Sequence, residues 1–266
     1  ETRRPDGLWM FAAVVAFVPI VAVVTLGPDQ AAPVASCDVL ASLALPNGTI
    51  TGAEAIEAGA FVPPMRPGRS MSAGQRRQFE ALPAFCRVTA TLTPSSDSEI
   101  KVEVWMPATG WSGKMHAVGN GAFTGSHRYG SARSLASGLE RGYATASTDT
   151  GHEGGSASFA LGHPEKVIDF GWRAVHEMTV TAKQVIAAFY GSGPEYSYWY
   201  GCSAGGRQAM MEAQRFPGDY DGIIAGAPGN DWTGRAAGSL RIANYLGAHE
   251  DAGLSAAKVE LVRMAV

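Results

Sequence analysis

The chain has no cluster of basic residues. Its 21 lysines and arginines are balanced by 24 acidic residues, for a formal net charge of −3. That lacks the electrostatic footprint of a nucleic-acid-binding protein. Charge of either sign is scarce, at 17% of residues, against 46% hydrophobic. A disordered or solvating tail has the opposite balance, so a globular chain with a substantial core is expected. No internal repeat or low-complexity tract is visible, which excludes a solenoid. The 33 glycines follow no three-residue period, which excludes a collagen-like chain. Cysteine is limited to Cys37, Cys86 and Cys202. Three is odd, so after one pairing a thiol is left over.

A long apolar run does occur near the start. Arg3 and Arg4 precede an uncharged stretch from Leu8 to Leu26, and small residues follow in "GPDQAAPVAS". A positive start, greasy middle and small-residue exit make an export signal. The run is also just long enough to span a bilayer, so an uncleaved anchor is the other reading. Residues 1–36 are assigned to this segment. The expected location is secreted or periplasmic, with no membrane association once the signal is cleaved. Export places the cysteines in an oxidising compartment, where disulfides persist.

Residues 37–85 have weak periodicity. "CRVTATL" (86–92) alternates, with Cys86, Val88, Ala90 and Leu92 on one face. "IKVEVW" (100–105) alternates too, with Ile100, Val102 and Val104 opposite Lys101 and Glu103. With the turn "PSSDS" between them, they predict an antiparallel hairpin of 86–92 with 100–106. Then strands alternate with helices. Strands are expected at 114–118, 143–149, 196–200 and 222–226, and helices at 131–141, 173–190 and 207–216. Alternation of that kind predicts an α/β fold with a mostly parallel central sheet covered on both faces. Beyond Pro228 the pattern turns loosely helical.

The chemistry concentrates at "WYGCSAGG". Gly201-Cys202-Ser203-Ala204-Gly205 is G-x-S-x-G, between an apolar strand and a helix. A nucleophilic serine at a tight strand-to-helix turn needs glycines two positions either side, where side chains would collide. The turn aims the next backbone N–H, that of Ala204, at the oxyanion formed on attack. A second donor is expected from "VGNGAFTG" (118–125), with Gly121 the choice. That loop fails the dinucleotide pattern G-x-G-x-x-G, because Thr124 stands where the third glycine belongs. Asp149, His152, Glu153 and His163 match no metal-site template, and no metal ligand is assigned. His176 reads as a helix-face or packing histidine. Asp149 reads as the residue that orders its own loop.

"YGCSAGGRQAMMEAQRFPGDYDGIIAGAP" (200–228) closely resembles the tannase and feruloyl esterase family of α/β-hydrolases. "STDTGH" (147–152), "DFGWRAVHEMT" (169–179) and "WSGKM" (111–115) resemble it too. The resemblance runs from about Cys37 to Val266. It implies an α/β-hydrolase fold and an extracellular serine esterase acting on esters of phenolic or aromatic acids through an acyl-enzyme on Ser203. It also implies that Cys202 pairs with a cysteine beside the catalytic histidine, leaving Cys37–Cys86 as the other bridge. In the family the triad acid and base follow Ser in the order Asp, His, after a lid insertion that carries a structural calcium. On that order residues 37–228 are the first part of the catalytic domain, and 229–266 begin the lid. The triad Asp and His are then expected beyond residue 266, with no cofactor in the present segment and any calcium in the lid. None of the six histidines stands in a His-Cys pair. The chain also departs from the family at Gly-Asn-Gly-Ala, where an unbroken glycine run is frequent. The expected partner is a small aromatic ester. The alternatives are a catalytically inactive exported binding module on the same scaffold, or an acyltransferase using the same residues.

Overall fold

The two alternating stretches pair as expected. In a computed structural model, which describes residues 32–65, 68, 70–249 and 252–265, β2 (Phe85–Leu92) runs antiparallel to β3 (Ile100–Pro107), with Val88 opposite Val104. The apolar run at 8–26 and the rest of the expected export segment up to residue 31 lie outside the described residues. Among the described residues no helix is long and apolar enough to cross a membrane.

Two elements precede the hairpin that periodicity did not reveal. Strand β1 (Gly48–Ile56) pairs antiparallel with β2, with a bulge between Ile50 and Gly52. Thr49, Ile50 and Thr51 are β-branched, but the following GAEA (52–55) is not, and the bulge breaks the apolar–polar alternation. Pairing to β2 holds the second half in place. Helix α1 (Ala73–Glu80) opens on a reciprocal cap, in which Ser72 accepts from the Gln75 N–H and Gln75 accepts from the Ser72 N–H. That S-x-x-Q signal is legible in the sequence. A 3₁₀ segment, Cys37–Ser42, is fastened to β2 by the Cys37–Cys86 disulfide, with the two Cα atoms 5.5 Å apart.

The remaining strands are β4 (Lys114–Val118), β5 (Ala144–Thr148), β6 (Tyr196–Cys202) and β7 (Gly222–Gly226). The sheet order is β1-β2-β3-β5-β4-β6-β7. β5, β4, β6 and β7 form the parallel half, and β3 joins it antiparallel to β5. This is a mixed α/β fold with a central parallel sheet of the α/β-hydrolase kind. Alternate residues of β2 and β3 serve opposite faces. Val88, Val102, Val104 and Met106 pack with α4 (Ala174–Tyr190), which presents Val175, Met178, Ala182, Val185 and Ile186. Phe85 and Trp105 turn the other way and join Phe61, Phe79 and Leu135 in a second core.

Three expectations shift in detail. Glu103 does not face water. It is 3% exposed and accepts from the Arg87 guanidinium, from Trp105 Nε1 at 3.0 Å and from Tyr129 Oη at 2.6 Å. Burial raises its pKa, but the Arg87 hydrogen bond and nearby positive charge outweigh it and hold the carboxyl below its usual value. The helix expected over 131–141 shrinks to α2 (Leu135–Leu139), since Ser131, Ser134 and Ser137 bond one another's backbone instead. Serine commonly offers the backbone that alternative. The helix expected from 173 begins after a wide π turn, Asp169–Arg173, which follows a short α3 (Pro164–Ile168). Gly191, at φ 79°, ends α4.

Past β6 the chain enters α5 (Ala204–Arg215), which starts three residues earlier than periodicity placed it. After β7 come α6 (Trp232–Ala248) and α7 (Ala256–Ala265), neither with a buried residue.

Candidate active site

Ser203 stands between the end of β6 and the start of α5, at φ 62° and ψ −116°. This is costly backbone for a residue with a Cβ, and it persists only where the surroundings enforce it. They do. The Ser203 N–H donates to Gly226 O on β7, and its carbonyl accepts from Arg207 and Gly229 N–H, each at 3.0 Å. The side chain is left exposed. The glycines are required by contact. A Cβ on Gly201 would lie 2.1 Å from Gly205 O, and one on Gly119 would lie 2.6 Å from Gly205 Cα. The turn therefore packs directly on the loop after β4.

That loop faces the serine turn. Gly119 N–H is used by Tyr200 O at 3.1 Å, and Asn120 N–H by Gln208 Oε1 at 3.0 Å. Gly121 N–H has no partner among the described residues. It shares a hollow of about 170 Å³ with Ser203, Cys202, Tyr200, Arg128 and Arg133. Ala204 is the first residue of α5, so its N–H has no acceptor within the helix. Of Gly119, Asn120 and Gly121, Gly121 is the one whose N–H has no partner among the described residues. Two larger hollows, of about 840 and 700 Å³, do not include the serine.

Several contacts that fix this geometry were not foreseen. Asn120 Nδ2 donates to Thr124 O, Ser126 O and Thr148 O, which pins the loop to the end of β5. His152 stacks on Phe159 at 3.8 Å, and its Nε2 lies 2.8 Å from Phe123 O, which makes it a donor to the same loop. Arg207 fastens α5 to the π turn through Phe170 O and Gly171 O. Burial lowers its pKa to about 10. Apart from the Asn120 bonds to Thr124 and Ser126, which lie within one loop, the hydrogen bonds join segments far apart in sequence, and no local spacing signals them.

The other expectations fall as follows. Asp149 Oδ1 accepts from Lys101 and Gly151 N–H, so it does order its own loop. Glu153 pairs with Lys101, and His163 Nδ1 meets Asp97 at 2.9 Å. Each of the four acidic and histidine residues first considered for a metal thus has its own partner. His176 lies on the face of α4, stacked on Phe216 at 3.8 Å and bonded to Asp219 at 2.7 Å. No histidine among the described residues hydrogen-bonds to Ser203. Cys202 is half-buried and unpaired. In the region assigned to the lid, Asp231 caps α6 and Glu260 pairs with Arg263.

Comparison with known proteins agrees with this fold. The family described as tannase and feruloyl esterase matches residues 86–266. An uncharacterized esterase of Xanthomonas campestris pv. campestris is 42% identical over 233 residues, 87% of this chain and 38% of its own length. Feruloyl esterase B of Aspergillus niger is 42% identical over 143 residues, 54% of this chain and 27% of its own. The crystal structure of feruloyl esterase B from Aspergillus oryzae superposes with a TM-score of 0.62 at 34% identity, covering 72% of this chain and 36% of that one. The chain thus spans less than two fifths of the length of each relative.

Proposed function

We infer, for a chain that belongs to the tannase and feruloyl esterase family, that it is the nucleophile-bearing part of an exported serine esterase that cleaves esters of phenolic or aromatic acids. The observation that carries this reading is the pairing of an exposed, strained Ser203 with the unpartnered Gly121 N–H on one small hollow. The names of the feruloyl esterase relatives support the substrate class. The Cys37–Cys86 disulfide supports export.

In this reading Ser203 Oγ attacks the ester carbonyl carbon as its proton passes to a base. The carbonyl π pair moves to oxygen, where the N–H groups of Ala204 and Gly121 hold the charge. Collapse expels the alcohol, which takes the proton from the base, and leaves an acyl group on Ser203. Water then repeats the sequence and frees the acid. The base is assigned to a histidine outside these 266 residues, oriented by an aspartate. Cys202 is assigned a disulfide to a cysteine next to that histidine, which would hold base and nucleophile at bonding distance.

The test is hydrolysis of methyl ferulate and methyl gallate by the full-length protein beside its Ser203→Ala variant. The variant is expected to lose about 10⁴-fold or more in kcat. Equal turnover by both would overturn the reading.

A further inference from the structure

Helix α5 carries the nucleophile at its start and an unexplained carboxylate near its end. Glu212 is 0% exposed, yet no N–H group among the described residues donates to either carboxyl oxygen, and its neighbour is another carboxyl, that of Asp219. Bare buried carboxylate oxygens are rare, because the lost hydration must be replaced by something. Opposite stand His176 of α4 and Asp219 of the turn before β7. One donor atom from each of the three residues lies within 4.8 Å of the others. We propose that His176, Glu212 and Asp219 form a binding site for a divalent zinc-class cation, separate from the esterase centre.

The donor set selects the class. One imidazole nitrogen and two carboxylate oxygens suit zinc, whereas calcium and magnesium favour all-oxygen shells. Tetrahedral zinc holds its ligands about 2.0–2.2 Å from the metal, hence roughly 3.4 Å from one another. The His176–Asp219 contact, at 2.7 Å, must open slightly and Glu212 must close in. Both are side-chain adjustments. His176 and Asp219 keep 27% and 15% of their side chains exposed, so an ion has an entry path and water has room for the fourth position. The charges balance too, since two carboxylates and a neutral imidazole match a dication.

A cation would satisfy the bare oxygens of Glu212. It would tie α4, α5 and the β7 turn together at a point nine residues along α5 from Ser203, about 13 Å at 1.5 Å per residue. The expected role is to brace the helix that sets the serine turn.

The experiment uses untagged full-length protein, stripped with chelator, reloaded with excess Ca²⁺ so that any calcium site elsewhere is filled, and titrated with Zn²⁺ by calorimetry. One saturating equivalent of Zn²⁺ is expected in the presence of that Ca²⁺, with a raised Tm. Glu212→Gln keeps the packing and removes a ligand. It should weaken Zn²⁺ by more than the roughly 10–100-fold that loss of a ligand's outer partner costs. Co²⁺ in place of Zn²⁺ should give a visible spectrum that Asp219→Asn abolishes. Absence of saturable Zn²⁺ binding by the native protein would overturn the proposal. So would a Zn²⁺ affinity and Co²⁺ spectrum unchanged in both variants. Each readout is independent of ester hydrolysis, so it stands or falls apart from the esterase reading.

Discussion

Gln208 takes the backbone N–H of Asn120 at 3.0 Å across 88 residues of sequence. One of these residues lies on α5, the helix that follows Ser203, and the other in the glycine loop facing it. The same amide returns Nε2 toward Asn120 Oδ1 at 3.4 Å. This contact decides which loop amide is free, because it consumes Asn120 N–H and leaves that of Gly121. Gln208→Ala would release the loop and leave a buried N–H unpaired. In the full-length enzyme kcat is expected to fall about 10–100-fold with little change in KM, since the donor acts on the transition state. A rise in KM at constant kcat would show that the loop binds substrate instead.

Gly201 makes a sharper structural prediction. Its missing Cβ is what lets Gly205 O approach, and an added methyl would sit 2.1 Å away from a backbone atom that cannot swing aside. Gly201→Ala should destabilise the protein by about 3 kcal/mol or more, at the upper end of overpacking costs. A urea midpoint within experimental error of the native value would show that the turn relaxes more readily than this packing implies.

The Cys37–Cys86 bridge closes a loop of 49 residues. The chain-entropy relation gives about 4 kcal/mol for a loop of that length, with strain and residual structure lowering it. Replacing both cysteines by serine should therefore cost about 2–4 kcal/mol in denaturant unfolding. It should leave Ser203 reactivity intact, because the bridge fastens the N-terminal segment to β2, on the side of the sheet away from β6. Loss of activity with unchanged stability would contradict both halves.

How much of this was legible depends on the range of the forces involved. The β2–β3 hairpin, β7 and the α4 face were readable because one side of each element must be apolar, and that demand repeats at short spacing. The serine turn was readable because its steric requirement falls within five residues. β1 was not, because GTITGAEAI holds its place through a neighbour's backbone. Gln208, Asn120 and His152 escaped for the same reason, since each has a partner tens of residues away, Asn120 N–H for Gln208, Thr148 O for Asn120 and Phe123 O for His152. The His176, Glu212 and Asp219 cluster has spacings of 36 and 7 residues, which match no ligand template. Only the crossing of α4 over the end of α5 brings it together.

Asp149 gives the pH prediction. Its side chain is 3% exposed, and Oδ2 has no partner. Burial is the largest influence and pushes the carboxyl from 3.8 up to about 7, against the backbone N–H groups of Gly151 and Lys101. Between those values the folded protein keeps a proton that the unfolded chain has lost. Asp149 therefore stabilises most fully below about pH 4, and its contribution is lost as pH rises through 7. The shift is of the order of 4 kcal/mol. His116 acts in the opposite sense. Burial lowers it from 6.5 to about 4, so its contribution is present above 6.5 and is lost as pH falls toward 4. The two slopes overlap, and the native stability profile alone cannot separate them. Asp149→Asn can. Asparagine keeps an oxygen for Lys101 and Gly151 N–H and carries no charge at any pH. The stability difference, variant minus native, should grow by a few kcal/mol between pH 4.5 and 7.5. A difference that stays flat across that range would mean that Asp149 is ionised in the folded protein throughout.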